Sequence, residues 1–122
     1  MIIIIEIAAS GGYMMAVTGS EIIAAPFAMI GSIGVVATVP NFSKLLKNWG
    51  VEVSDYTAGR YKRTVTPYKK ETSRDRSKLL KDLNEMHDLF KRHVKLYRPK
   101  LNVNVVSTGE VWPATEGDHT EY

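Results

Sequence analysis

The sequence predicts an α/β protein in which helices pack in layers against a sheet. Segments that suit strands and segments that suit helices alternate, in the order strand, helix, strand, strand, helix, strand, long helix. Hydrophobic residues make up 44% of the 122 residues, which is typical of a folded globular chain. Because the opening strand leads at once into a glycine-rich turn, we expect an incomplete version of such a fold, without its earlier strands.

The first part of the chain contains three predicted strands and a short helix. Residues 2–7 are apolar nearly throughout, as in a strand buried on both faces of a parallel sheet. After a turn at Ala8–Gly12, the small and flexible apolar residues of Tyr13–Val17 predict a short helix. Glu21–Ala25 and Gly31–Val36 follow as short strands, the second flanked by glycines that allow close backbone approach.

A short helix, a strand and a loop are predicted in the middle of the chain. Asn41 is suited to cap a helix that ends at Gly50. Apolar and charged residues alternate at positions 51–53, which predicts a strand, and residues 57–67 are predicted to form a loop.

The strongest helix signal lies between Thr72 and Pro99. Thr72 and Asp75 have the arrangement of a capping box, and the proline ends the run. Apolar residues recur at steps of three and four, which indicates a face that packs into the core or against another subunit. This stripe consists of Leu79, Leu83, Met86, Phe90, Val94 and Tyr97.

We expect a folded core over residues 1–112 and a loose polar tail over residues 113–122. The absence of cysteine excludes disulfides and thiolate metal sites. The net charge of +3 by itself neither supports nor excludes nucleic-acid binding. Basic residues gather between Arg60 and Lys78, as on a solvated surface or a surface near anionic lipid headgroups. No apolar run approaches the ~20 residues that a helical membrane span needs.

Ser10 and Lys62 are the best candidates for a catalytic pair. Ser10 lies where a strand gives way to a helix, and the two glycines after it allow a sharp turn. A serine hydroxyl needs a base to take its proton, and the Gly11 amide at the start of the helix can stabilise an oxyanion. A lysine is a base only when neutral, which requires a pKa of ~7–8 and burial among uncharged groups. Tyr61 and Val65 are such neighbours of Lys62.

Other chemistries have less support in the residues. A Ser-His-Asp triad remains open, because a histidine and an acid can meet Ser10 in space. His87 and His93 are six positions apart and do not share the helix face of a zinc pair, so no metal site is expected. Gly31–Gly34 lacks the remaining elements of a nucleotide-binding loop.

Several segments resemble the signal peptide peptidase A family of serine proteases, with the SohB-type peptidases as the nearest branch. The resemblance extends over roughly residues 8–112, and the motifs stand in the family's order and spacing. The matching segments are Ala8–Tyr13, Ala25–Pro26, Gly31–Val35, Asn41–Phe42, Ala58–Arg63 and Thr108–Gly109 with Trp112.

The resemblance implies a ClpP/crotonase-like layered fold and a serine endopeptidase that cleaves signal peptides or other apolar, membrane-derived peptides. It implies Ser10 as nucleophile and Lys62 as general base. It implies Gly11 as an oxyanion-hole amide and Ser32 as the hydroxyl that orients the lysine amine. The walls of the substrate groove are then expected to include Tyr13, Met14 and Met29.

The resemblance also implies the setting of this activity. The family assembles into homo-oligomers, in which the lysine can come from a neighbouring protomer. It works on the periplasmic side of the bacterial inner membrane, so peptides and a membrane surface are the expected partners. No cofactor and no nucleic-acid partner are expected.

The sequence departs from the family pattern at both ends. The family has an upstream glycine-containing strand that donates a second oxyanion amide, and nothing in Met1–Ile7 corresponds to it. After Trp112 the family continues through a helix, whereas this chain turns to Pro113–Glu116. The alternative hypothesis is therefore a catalytically silent, truncated oligomerisation module of the same fold. Acyl-CoA chemistry of the crotonase type is a third hypothesis, although the chain lacks a nucleotide-phosphate motif.

Overall fold

Residues 1–115, the part of the chain that the computed structural model describes, contain five short strands and four helices. In chain order they are β1 (Ile2–Ile4), β2 (Ile7–Ala9), α1 (Gly11–Ala16), β3 (Ile22–Ala24), β4 (Met29–Gly31), α2 (Ser43–Asn48), α3 (Ser73–Tyr97), α4 (Val103–Val106) and β5 (Val111–Pro113). The presence of both kinds of element confirms that the chain is a mixed α/β protein.

The strands form two small sheets. One consists of β1 and β3, which are parallel. In the other, β4 lies in the middle, parallel to β2 and antiparallel to β5. Because β2 and β4 are parallel, their carboxyl ends meet at one edge of the sheet, which is where ligands commonly bind in open α/β sheets.

A bend at Ile5 and Glu6 divides the strand that the sequence predicts over residues 2–7. Just before the bend, the Ile4 carbonyl accepts a hydrogen bond from the Ala25 amide (2.8 Å). At the bend, the Glu6 carbonyl accepts one from the Met29 amide (2.8 Å). The chain therefore changes its partner from β3 to β4 within two residues, which a pattern of apolar residues does not reveal.

The expectation that residues 2–7 are buried on both faces is wrong. Ile4 is buried, but Ile3, Ile5 and Ile7 are 61%, 80% and 65% exposed. Since successive side chains of a strand point to opposite faces, one face packs inward and the other is left open by the described residues.

Two further strand predictions are corrected. The predicted strand at Gly31–Val36 is β4, which lies earlier and ends at Gly31. It ends there because Gly31 (φ 107°) and Ser32 (φ 54°) leave the extended region of backbone space. Residues 51–53 are not in a strand, and no strand lies anywhere between residues 36 and 84, all of which are described.

The chain divides into two compact units. The first unit comprises Met1–Val35 together with the chain from Glu85 onward, and the second comprises Val36–Asn84. The core of the first unit contains two clusters of buried side chains. One joins Tyr13, Val17, Ile33, Phe90, Val94, Leu101 and Val106, and the other joins Ile4, Ala8, Ala16, Ala28 and Ile30.

The second unit contains α2 and the beginning of α3. The predicted capping box of α3 is confirmed, because the Asp75 amide donates to Thr72 Oγ1 (3.2 Å) and the Thr72 amide to Asp75 Oδ2 (3.3 Å). None of the apolar side chains of residues 36–84 is fully buried, and the buried side chain there is that of Thr66. This unit therefore has no apolar core of its own in the chain as described.

The predicted tail is ordered at its start. Pro113 is part of β5, and the amides of Ala114 and Thr115 donate to the carbonyls of Ala28 and Pro26 (2.9 and 3.2 Å). The rest of the predicted tail, residues 116–122, lies outside the described residues. Within residues 1–115, no helix is long and apolar enough to cross a membrane.

Candidate active site

Ser10 occupies a sharp turn between β2 and α1. Its backbone angles are φ 52° and ψ −118°, outside the regions that a residue with a side chain normally adopts. Its hydroxyl makes no capping bond to the helix, and the residue is exposed. A serine on a strained strand-to-helix turn with a free, exposed hydroxyl has the arrangement of a nucleophile elbow.

The space in front of this turn is open. A Cβ atom placed on Gly11 or on Gly12 would meet no atom within 4 Å. The first amides of a helix have no acceptor within the helix, so the Gly11 amide is available to a group that approaches Ser10. The two residues that follow Ser10 are thus bordered by open space.

Ser32 lies next to Ser10 at the same edge of the sheet. The parallel register pairs Ala9 with Gly31, and each serine is the next residue of its strand. The Ser10 amide donates to the Gly31 carbonyl (2.9 Å), which joins the two turns directly. Ser32 also has a positive φ, and its own amide donates to the Glu110 carbonyl (2.6 Å). The structure therefore brings the backbones of the predicted nucleophile and of the predicted lysine-orienting serine together.

Trp112 of β5 packs against Gly31, the last residue of β4, which directly precedes Ser32. A Cβ atom on Gly31 would lie 2.8 Å from the indole ring of Trp112 and 3.0 Å from the Glu110 carbonyl. Only glycine fits here without a shift, both because of this contact and because of its positive φ. The close approach of β5 fixes the turn that carries Ser32.

Two histidines of α3 hold the segments that carry the serines. His93 Nε2 lies 2.9 Å from the Met14 carbonyl in α1, and His87 Nε2 lies 3.2 Å from the Ile33 carbonyl after Ser32. A carbonyl only accepts, so each Nε2 carries a hydrogen and donates it. Sequence reasoning assigned these histidines no packing role. The six-residue spacing excludes a zinc pair but leaves two contacts to separate segments possible.

Lys62 lies in the loop of the second unit. Its amide donates to the Gly59 carbonyl (3.1 Å), and Gly59 has a φ of 94°. Lys62 is exposed, so the expected burial of its amine among uncharged neighbours does not occur within this unit. Ser10 belongs to the first unit and Lys62 to the second, and the geometry of each residue is defined within its own unit.

The predicted groove residues have different environments. Tyr13 is 2% exposed and belongs to the core, so the groove prediction does not extend to it, whereas Met14 and Met29 are half-buried. An open groove of about 300 Å³ lies along β1, β2 and α1, and it is lined by the isoleucines of both strands with Gly12 and Met15. Sequence reasoning missed these residues because it predicted that the isoleucines would be covered on both faces.

No group of three or more histidine and acidic side chains in the described part of the chain could hold a metal ion. The arrangement of the first unit instead offers an exposed hydroxyl, a helix-start amide and a neighbouring serine. These are parts that acyl transfer uses.

Comparisons with known proteins match the chain to peptidases. A sequence model described as peptidase family S49 matches residues 1–122. The chain is 56% identical over 110 residues to "Probable protease SohB" of Buchnera aphidicola subsp. Schlechtendalia chinensis, a match that covers 90% of this chain and 36% of that protein. It is 50% identical over 107 residues to "Probable protease SohB" of Haemophilus influenzae, covering 88% of this chain and 30% of that protein.

A third relative has a different name. The chain is 44% identical over 112 residues to a protein of Brucella abortus named "Na(+)/H(+) antiporter NhaA", but the match covers only 15% of that protein. The chain spans about a third of the length of the two SohB relatives.

Proposed function

The chain belongs to peptidase family S49, and from this premise we propose that it forms the catalytic part of a serine endopeptidase with a Ser-Lys dyad. The observation that carries the proposal is the backbone of Ser10, with φ 52° and ψ −118° at an exposed strand-to-helix turn. Such a conformation costs about 1–3 kcal/mol, and residues held in it cluster at active sites. The neighbouring Ser32, also at a positive φ, supports the same site.

The proposed reaction is acyl transfer through Ser10. Neutral Lys62 takes the hydroxyl proton as the Ser10 oxygen attacks the scissile carbonyl carbon, and the carbonyl oxygen becomes an oxyanion that accepts from the Gly11 amide. The protonated amine then gives its proton to the leaving nitrogen, and the C–N bond breaks to leave an acyl ester on Ser10. Water, deprotonated by Lys62, attacks the ester carbon. The protonated amine returns this proton to the Ser10 oxygen as the acyl C–O bond breaks, which releases the acid and restores neutral Lys62. Ser32 holds the lysine amine in place during these steps.

The exposure of Lys62 sets a condition on this mechanism. A lysine that works as a base near neutral pH needs an environment that disfavours its ammonium form, by ~4 kcal/mol for a change of ~3 pKa units. We propose that a neighbouring protomer supplies the cover that Lys62 lacks. The second unit has large exposed apolar side chains that suit such an assembly, among them Phe42, Trp49 and Tyr56.

The proposed substrates are apolar peptides, such as remnants of signal peptides. The open groove along β1, β2 and α1 is lined by isoleucine side chains and Met15, which favour apolar over charged substrate residues. By resemblance, we propose a ClpP/crotonase-like layered fold for the whole protein and action at the periplasmic face of a bacterial inner membrane.

Labelling with a fluorophosphonate tests the nucleophile and the base together. The full-length protein is treated with the probe, and the labelled residue is identified by mass spectrometry. We expect modification of Ser10, a large loss of labelling rate in Lys62→Ala, and an unchanged rate in Lys70→Ala, an exposed lysine eight positions later.

The result also decides between the proposed function and its rival. Equal labelling rates in Lys62→Ala and in the wild type would refute the dyad. A folded oligomer without any labelling at Ser10 would instead support a catalytically silent oligomerisation module.

A further inference from the structure

Three cationic side chains gather around one tyrosine ring in the second unit. The guanidinium carbons of Arg60 and Arg74 lie 5.4 and 5.8 Å from the centre of the Tyr61 ring, and Lys78 Nζ lies 5.5 Å from it. The face of an aromatic ring attracts a cation, but a ring has only two faces. At least two of the three cations therefore share a face and repel each other, which an anion between them would relieve.

A cavity is present where this anion would bind. It has a volume of about 120 Å³ and is lined by the three cations with Tyr61, Thr64 and Asp75. The Asp75 carboxylate is engaged in the cap of α3, where its Oδ2 accepts from Thr72 Oγ1 (2.7 Å). Three cations and one carboxylate leave the lining with a net charge of +2.

Neither arginine of the cavity has an acidic partner in the described part of the chain. Among residues 1–115, neither Arg60 nor Arg74 forms a salt bridge, whereas Lys78 is paired with Asp82 on the next turn of α3. Arg63 provides the contrast, because it belongs to the same loop and lies 3.5 Å from the Asp55 carboxylate. Within the basic segment between Arg60 and Lys78, the guanidinium groups without a salt bridge are therefore those that line the cavity.

We propose that this cavity binds a dianionic phosphate group, as carried by a phosphate monoester or by inorganic phosphate. Guanidinium groups match phosphate oxygens with two parallel hydrogen bonds each, and two of them line this cavity. A phosphate monoester carries a charge of about −1.5 to −2 at neutral pH, which balances the two unpaired guanidinium groups. A single carboxylate would leave one of these groups without a counter-charge. The proposal does not depend on the peptidase activity, since none of the residues that line the cavity belongs to the proposed catalytic machinery.

Calorimetric titration of the full-length protein with inorganic phosphate at low ionic strength tests the site. We expect saturable binding, with affinity at least about tenfold weaker in Arg74→Gln and in Arg60→Gln because each removes a charge-assisted hydrogen-bond donor. Arg63→Gln removes the same charge outside the cavity, and we expect it to retain the wild-type affinity. Two variants on different elements guard against a local folding defect in one of them.

Vesicles identify the source of the phosphate group. The same proteins are mixed with phosphatidylcholine vesicles that contain either phosphatidic acid, a monoester, or phosphatidylglycerol, a diester. Binding of free phosphate that requires Arg60 and Arg74 assigns a soluble ligand. Binding of phosphatidic acid vesicles alone, with the same dependence, assigns a lipid headgroup. An absence of both kinds of binding, equal binding to the two lipids, or an equal loss in Arg63→Gln would overturn the proposal.

Discussion

Replacing Gly31 by alanine tests the geometry that fixes the Ser32 turn. An added Cβ would lie 2.8 Å from the Trp112 ring and 3.0 Å from the Glu110 carbonyl, at a φ of 107°. The ring could shift, but the carbonyl is held by the Ser32 amide at 2.6 Å. Backbone strain of about 1–3 kcal/mol and overpacking of about 1–3 kcal/mol together predict a loss of about 2–6 kcal/mol in the free energy of unfolding.

Two other glycines of the same unit separate these contributions. Gly109 has a φ of 86° but open space around its Cβ position, so Gly109→Ala should show the backbone strain alone, about 1–3 kcal/mol. Gly11 combines open space with a helical conformation, so Gly11→Ala should be neutral or stabilising by up to ~1 kcal/mol.

Urea unfolding followed by tryptophan fluorescence measures all three effects. The chain has two tryptophans, and a Trp49→Phe background leaves Trp112 as the reporter of the first unit. Stability losses of Gly31→Ala and Gly109→Ala that agree within ~0.5 kcal/mol would refute the packing of Trp112 on Gly31. A loss in Gly11→Ala as large as in Gly109→Ala would refute the role assigned to positive φ.

Three further predictions concern α3. His93→Leu leaves the Met14 carbonyl without its donor and should cost about 1–3 kcal/mol of unfolding free energy, whereas His93→Gln keeps a donor and should cost less; equal losses would contradict the hydrogen bond. Thr72→Ala removes the cap and should lower the urea midpoint by the equivalent of ~1 kcal/mol, and an unchanged midpoint would contradict the cap. The hydrogen bond and charge of Lys91 hold the pKa of Asp88 below its usual value. The contribution of the Asp88 carboxylate to the free energy of unfolding is therefore present above its unfolded-state pKa and is lost as the pH falls through its folded-state pKa. Asp88→Asn should flatten unfolding free energy against pH in that window, and an unchanged profile would contradict the pairing.

Much of the fold could be predicted from local sequence patterns. The capping box at Thr72 and Asp75 and the apolar repeat of α3 predicted the long helix, because both signals act within a few residues. The serine followed by two glycines predicted the turn at Ser10 for the same reason. The switch of strand partner at Ile5 and Glu6 depends on residues about 20 positions away, and no local pattern encodes it.

In the candidate site as well, local turns could be predicted from the sequence, but contacts between distant segments could not. Ser10 and Ser32 could be predicted as residues of turns, but their adjacency follows from the pairing of Ala9 with Gly31 in a parallel sheet. The histidine contacts to α1 and to Ile33 also arise from packing between distant segments. The burial expected for Lys62 rested on its sequence neighbours, which do not enclose its side chain in the loop of the second unit.

The sequence by itself determined the α/β class, the long helix, the sharp turn at the nucleophile candidate and membership of a peptidase family. The class, the helix and the turn depend on short-range sterics, hydrogen bonding and periodicity, which act within a few residues, whereas the family follows from the likeness of the whole sequence to known peptidases. Only the tertiary structure decided which strands pair, that one face of the isoleucine strands is open, and that cations converge on Tyr61. Such features arise from contacts between distant parts of the chain, whose free energy depends on where the whole backbone runs.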